Sequence, residues 1–417
     1  MTAIVGVLNK TAVAIAADSA VTMGNTYKVM NTANKIFSLS KHAPVGIAIY
    51  GNAYLMDTPW EVIIKCYRRH IKTVKFMFLR DYVNDFVDFL RKHEFFASLS
   101  VQHNHLFLQM DSFYKICVKQ ARSRVIYSTS PTQAVIDELN DCKQANLANP
   151  NVFGDFQNYS YSDFVVFAKK EIEVIVRGSK ELQMPQHFNV FAESFYYYMR
   201  TANIPRNEES GLVFVGYGEE EIYPCLYNII TTIGFDHKLQ YRYGETPIEI
   251  TNEKTTASIV PFAQTAATQT VIRGINPTFY SIISTIFSNV IHLLIKNICD
   301  LLRNNNQDSI ALQIEHMDMG SLTNSFTNAT QAEFLKNYTQ PLVNTIGLLG
   351  ISDMANVAES LVALTSLVHR MSPKEESVGG PVDVAVISKG DGLIWIKRKH
   401  YFDPNLNTQF FKNYCDD

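Results

Sequence analysis

The chain has 417 residues, of which 47% are apolar and 18% charged. That is enough apolar material for a large core, and it excludes disorder over most of the length. Lys and Arg total 37 against 40 Asp and Glu, a formal charge of -3, so a nucleic-acid role would need a local basic patch. The basic runs are short, and Lys397-Arg398-Lys399-His400 reads as a solvated strand end.

Residues 3–8 and 11–17 are apolar runs around the turn Asn9-Lys10 and predict a hairpin. After a polar loop, residues 36–40 and 45–50 predict a second hairpin around Lys41-His42-Ala43-Pro44, and Gly51 punctuates it. From Asn52 the pattern turns helical. Residues 58–205 hold aromatic-rich amphipathic segments such as 74–96 and 159–176. Strand character returns at 212–217, 225–233 and 238–241. Gly216-Tyr217-Gly218 is followed by Glu219-Glu220-Glu221, which would repel phosphate, so it reads as a plain turn.

Residues 263–274 and 280–303 are expected to be helices. Between Phe279 and Leu302, Ile282, Ile283, Ile286, Phe287, Val290, Leu294 and Ile298 recur at helical spacing, while Ser281, Ser284, Asn289, His292, Lys296 and Asp300 interrupt the run. It reads as an amphipathic buried helix, not a membrane span. Asn304 to Asp308 is a linker, and residues 353–369 form another amphipathic helix. Residues 382–387 and 393–397 make a closing hairpin around Lys389-Gly390-Asp391-Gly392.

Strands at both ends and in the middle, joined by hairpins, suggest two antiparallel sheets with helices on their outer faces. A continuous apolar run such as Val382 to Ile387 suits a strand buried on both sides. The start has no positive stretch before its apolar run, so no secretory signal is expected. The six cysteines are widely spaced without a CxxC pair and read as reduced thiols of a cytoplasmic protein. His103-Asn104-His105 has no third ligand at metal spacing, and no metal or other cofactor is expected.

The chemistry begins at Met1-Thr2. Methionine is normally removed before a small residue, which would leave Thr2 with a free α-amine. An α-amine titrates near ~7.7–8.0 and serves as a general base near neutral pH. Paired with a threonine hydroxyl it activates a nucleophile. Thr2 opens a strand, Asp18 lies sixteen residues on, Asn34-Lys35-Ile36 opens the third strand, and Ile47-Ala48-Ile49-Tyr50-Gly51-Asn52-Ala53 closes the fourth.

This pattern resembles the proteasome β-subunit family of N-terminal-nucleophile hydrolases, and its first 26 residues are similar to the bacterial ATP-dependent peptidase branch. Lys35 sits one residue further from Thr2 than in that branch. The resemblance implies an α+β fold, a four-layer αββα sandwich of two antiparallel sheets. It implies Thr2 as nucleophile, Lys35 holding the Thr2 amine neutral, Asp18 pairing with Lys35, and the Gly51 N–H as oxyanion donor. Thr22 and Ala53 would hydrogen-bond an extended substrate as an added strand, and Val21, Ala33, Ile49 and Ala53 would line an apolar specificity pocket. Ser258, Glu375 and Ser377 fall where supporting groups are expected, with Val378 where the family often has a serine.

The chain is expected to be one such domain, with core segments 2–60, 212–275 and 340–398. Residues 61–211 and 276–339 would be helical insertions and 399–417 a tail. The activity implied is threonine-type peptide-bond cleavage through an acyl-enzyme. The alternatives are an inactive scaffold subunit and a small-molecule amidase on the same fold. The expected partners are a peptide or unfolded-protein substrate, further copies of the chain enclosing the site, and an ATPase unfoldase; neither nucleic acid nor membrane is expected.

Overall fold

The computed structural model describes residues 2–23, 28–92, 97–125, 130–183, 186–201, 209–244, 247–317, 319–372, 378–400 and 402–409. They fall into two compact units. The first comprises Met1–Ala33, Ile250–Ser388 and Ile394–Asp417, and the second Asn34–Glu249 with Lys389–Leu393. Both are mixtures of helices and antiparallel sheet.

The first unit begins with the expected hairpin, β1 (Ala3–Asn9) and β2 (Val13–Ala17), in which Ile4 lies opposite Ala17 and Leu8 opposite Val13. Every residue of both strands is buried. A short ribbon follows, β3 (Val21–Met23) against β4 (Lys28–Met30).

The second unit opens with the second hairpin, β5 (Ile36–Ser38) and β6 (Val45–Gly51). Where the sequence pattern suggested helix from Asn52, a small ribbon comes first, β7 (Tyr54–Leu55) and β8 (Thr58–Pro59). Helix α1 (Trp60–Ile71) starts only after Pro59. There follow α2 (Leu79–Lys92), α3 (Leu99–Val125), α4 (Pro131–Leu147), α5 (Tyr161–Gly178) and α6 (His187–Thr201). Helices α4 and α5 start at serine caps. Ser130 Oγ accepts from Gln133 N, and Ser160 Oγ from Asp163 N. The chain then returns through β9 (Ser210–Gly216), β10 (Cys225–Phe235), β11 (Lys238–Tyr243) and β12 (Ile248–Glu249).

The sheet order in this unit is β11-β10-β9-β6-β5, with β12 also on β10. Its core is aromatic: Tyr67 and Phe86 meet edge to face at 4.8 Å, and Phe86 carries the contact to Phe214 of β9 at 5.5 Å. The close approach of β6 and β9 needs glycine, because a Cβ at Gly211 would stand 2.0 Å from the Tyr50 ring. Gly216 ends β9, and the Gly218 N–H donates to Glu221 Oε2 at 2.6 Å, so this glycine pair forms a turn capped by a carboxylate.

The first unit resumes with β13 (Ala257–Ala263), a strand that the sequence reading missed. Pro261 lies within it opposite Val5, and proline is tolerated because β13 is the edge strand of the order β13-β1-β2-β14-β15. Helix α7 (Ala266–Arg273) therefore begins after 263. Next come α8 (Pro277–Asn304), α9 (Asp308–Glu315), α10 (Met319–Phe334), α11 (Gln340–Leu348) and α12 (Ile351–Arg370). Helix α10 passes into α11 through a π turn at Leu335–Thr339. Pro341, which cannot donate its share of the ladder, lies just beyond. The closing hairpin is β14 (Asp383–Ser388), buried throughout as its apolar run predicts, and β15 (Gly392–Lys397).

Helix α12 lays Met354, Ala355, Ala358, Leu361 and Val362 over Val5, Val7, Ala14, Ala16 and Val384 of the sheet. Two expectations need correction here. Lys399 is half-buried and pairs with the buried Asp383, while Lys397, Arg398 and His400 are exposed as expected. Helix α8 is not buried: among its residues only Cys299 is. Helices α8 and α12 are both long and apolar enough to cross a membrane by length and composition.

Candidate functional site

Thr2 immediately precedes β1 and is 5% exposed. Two main-chain contacts flank it. The Gln264 N–H donates to the Thr2 carbonyl at 3.1 Å, continuing the pairing of Ala3 with Ala263. Ala263 stands at φ +62°, a left-handed conformation costly for a residue with a Cβ, and thereby ends the strand beside Thr2. Gln264 is a contributor that sequence reasoning missed; it acts through its backbone, so its side-chain type carried no signal.

Asp18 follows β2 and is fully buried. Its Oδ1 accepts the Ala3 N–H at 2.9 Å, and its Oδ2 accepts the N–H of Ala20 at 3.2 Å and of Gly379 at 3.1 Å. Its own N–H donates to the Ala3 carbonyl at 3.1 Å. A carboxylate has about four acceptor positions, so these three donors fix both oxygens. The carboxylate thus ties the residue after Thr2 to the loop entering β14. The Ser19 N–H donates to the Gly379 carbonyl and its hydroxyl to the Pro381 carbonyl, reinforcing the same junction.

Val21 and Thr22 lie on β3, opposite Met30 and Val29, and the Ala33 N–H donates to the Ser19 carbonyl at 3.2 Å. These residues share the first unit with Thr2 and Asp18. Ser258 is in that unit too, but opposite Leu8. It is five residues along β1 from the strand's start, roughly 17 Å at ~3.4 Å per residue. At that distance it does not reach the Thr2 amine, contrary to expectation. Glu375 and Ser377 lie outside the described residues. Val378 is fully buried in the apolar cluster beneath α12.

Lys35, Ile49, Gly51 and Ala53 belong to the second unit. Lys35 is buried, and its carbonyl accepts the Ile49 N–H at 2.9 Å, which sets β5 beside β6. Ile49 is buried opposite Leu212. Gly51 closes β6 opposite Ser210 at φ +78°, and a Cβ there would stand 2.2 Å from the Glu209 carbonyl oxygen. Only glycine holds that conformation and that space. The Ala53 carbonyl accepts the Trp60 N–H at 3.0 Å, where α1 begins.

Other candidate chemistry falls away. His103 stacks on Phe167 at 4.5 Å, and His105 Nε2 lies 3.1 Å from Asp57. Among the described residues no cluster of His, Cys, Asp and Glu could hold a metal ion. A groove of about 380 Å³ along α5 and α6 and another of about 260 Å³ between α3 and α4 contain none of the residues above. Five cysteines, Cys66, Cys117, Cys142, Cys225 and Cys299, are free thiols.

No family profile matches the sequence, and no curated protein matches it. Solved structures similar to it include two of Anbu. A Gly-1 mutant of Anbu from Hyphomicrobium sp. strain MC1 aligns over 100% of this chain and 96% of its own, at 8% identity and a TM-score of 0.31. Anbu from Yersinia bercovieri, described as an ancestral β-subunit, aligns over 99% and 95%, at 8% identity and a TM-score of 0.28. At scores this low the likeness carries no argument for fold or activity.

Proposed function

We propose that this chain is a proteasome-like threonine-type peptidase on a four-layer αββα sandwich, with Thr2 as its nucleophile once Met1 is removed. The observation that carries the reading is Asp18. A carboxylate taken fully out of water is retained where its partners are good enough to offset desolvation, and here three main-chain donors hold it against the residue next to Thr2. The spacing of Thr2, Asp18, Lys35 and Gly51 in the sequence supports the same assignment.

In the proposed reaction the Thr2 amine accepts the proton of its own Oγ as Oγ attacks the scissile carbonyl. The Gly51 N–H donates to the oxyanion, and Lys35 keeps the amine unprotonated beforehand. The amine then passes its proton to the leaving amine, which leaves an ester on Thr2 that water cleaves. Among the described residues β3 pairs only with β4, which supports docking of an extended peptide along Thr22. Val21, Ala33, Ile49 and Ala53 would favour an apolar side chain. A cytoplasmic homo-oligomer would enclose such a site, fed by an ATPase unfoldase.

A test is hydrolysis of fluorogenic peptides by the chain and its variants. Thr2→Ala should abolish turnover and Thr2→Ser retain part of it. Equal turnover by Thr2→Ala would overturn the assignment. Val378 favours a second reading, an inactive scaffold subunit, since it places a buried apolar side chain where a supporting hydroxyl is expected. In that case no variant differs from the parent chain.

A further inference from the structure

Helices α3 and α4 follow one another in the chain and pack together, and each turns a cysteine toward the other. On α3, Phe113, Cys117 and Ala121 recur every fourth residue and all are buried. On α4, Val135 and Leu139 are buried, and the half-buried Cys142 follows three residues later on the same face. Helix α6 lies against both stripes. Phe113 meets Phe195 edge to face at 5.6 Å, and Ser194 Oγ donates to the Leu139 carbonyl at 2.8 Å. Within this three-helix interior the Cys117 thiol donates to the Cys142 sulfur. Asn146 Nδ2 donates to the same sulfur at 3.5 Å and to the Cys142 carbonyl at 2.7 Å.

The other described thiols have other surroundings. Cys225 Sγ donates to the Tyr223 carbonyl, Cys299 Sγ donates to the Ala311 carbonyl, and Cys66 stands apart on α1. Packed helix axes are ~8–10 Å apart, and each Cα lies about 2.3 Å from its own axis. Facing backbones therefore approach to about 3.5–5.5 Å at the closest. Cysteines on facing stripes fall within the ~4.4–6.8 Å Cα separation that a disulfide requires. The two sulfurs also differ in reactivity. The hydrogen bond from Cys117 lowers the pKa of Cys142, against burial and the Glu138 carboxylate. The same bond and burial raise Cys117. The thiolate is the reactive form, so it develops on Cys142, the more exposed of the pair.

We propose that Cys117 and Cys142 form a reversible disulfide, closed by hydrogen peroxide and reopened by a thiol reductant. The Cys142 thiolate attacks one peroxide oxygen and the O–O bond breaks. Hydroxide leaves and takes up the proton that Cys142 had released, and the sulfur becomes a sulfenic acid. The Cys117 sulfur then displaces the remaining oxygen, which departs as water with the Cys117 proton, and the S–S bond forms. Two thiols are oxidised, one peroxide is reduced and two waters are made. The bridge ties α3 to α4 and restricts the unfolded chain, so the oxidised protein is the harder to unfold. This inference is independent of the catalytic reading.

The test treats the full folded chain with hydrogen peroxide, denatures it in iodoacetamide, and maps its digest by mass spectrometry without reductant. The expected result is a linked Cys117–Cys142 peptide that dithiothreitol separates, with Cys66, Cys225 and Cys299 alkylated. The denaturation midpoint of the oxidised chain should be the higher. Dimedone, which captures sulfenic acids, reads the order of the steps. Cys117→Ser should leave a dimedone adduct on Cys142, whereas Cys142→Ser should leave Cys117 an unlabelled thiol. The linkage in the parent chain is read without either variant. Alkylated Cys117 and Cys142 in the peroxide-treated parent chain, or Cys142 bridged to a different cysteine, would overturn the inference. So would a dimedone adduct on Cys117 in place of Cys142.

Discussion

At the scale of single residues, two positions combine strain or burial with a proposed role. Gly51 sits at positive φ with no room for a Cβ, so Gly51→Ala should destabilise the protein by about 3 kcal/mol through strain and overpacking together. Chemical denaturation checks this, and an unchanged midpoint would mean that β6 ends differently. Asp18→Asn tests the other position. The amide keeps the shape, but its NH2 would face the N–H groups of Ala20 and Gly379, leaving buried donors unpaired. A cost of about 1–3 kcal/mol is expected, together with loss of peptide hydrolysis. Retained hydrolysis in a stable Asp18→Asn chain would assign the carboxylate to folding alone. The letters offered Asp18 as a candidate through its chemistry and its spacing from Thr2, but not the main-chain donors of Ala3, Ala20 and Gly379 that hold it. Gln264 was not legible, since a backbone donor has no signature. Ser258 was misplaced because the register of β13 against β1 is a tertiary fact that its proximity to Pro261 could not supply.

At the scale of elements, the alternating and continuous apolar runs of β1, β2, β6, β9, β10 and β14 were legible because pleated strands with buried faces leave that pattern. Strand β13 was not legible, because the run Ala-Ser-Ile-Val-Pro-Phe-Ala carries a proline, which argues against a strand unless its edge position is known. Helix α8 shows a different limit. Its periodicity declared an apolar stripe but not what covers it, and the expectation of burial was wrong for that reason. The second unit also has a pH signature. Burial raises the phenols of Tyr67, Tyr114, Tyr159, Tyr217 and Tyr227, and it raises Tyr161 to about 12. An unfolded tyrosine ionises near ~10. The stability held by keeping these groups neutral is therefore fully present below pH ~10 and lost as pH rises above it. Melting temperature should stay flat across neutral pH on their account and fall steeply in alkali. A melting temperature insensitive to pH above ~10 would contradict the packing around these rings.

At the scale of the whole molecule, Thr2 and Asp18 belong to the first compact unit, and Lys35 and Gly51 to the second. The chain order of strands and helices foretold mixed antiparallel sheets. The division into two units was not legible, because it follows from which segments pack together and not from any linker composition. The central claim is an armed threonine at position 2. Intact-mass measurement with and without a peptide epoxyketone, which reacts with both the hydroxyl and the amine of an N-terminal threonine, tests it most directly. Loss of Met1 and a single adduct mapped to Thr2 is the expected result. Retained Met1, or a chain that begins at Thr2 yet takes up no adduct, would contradict it.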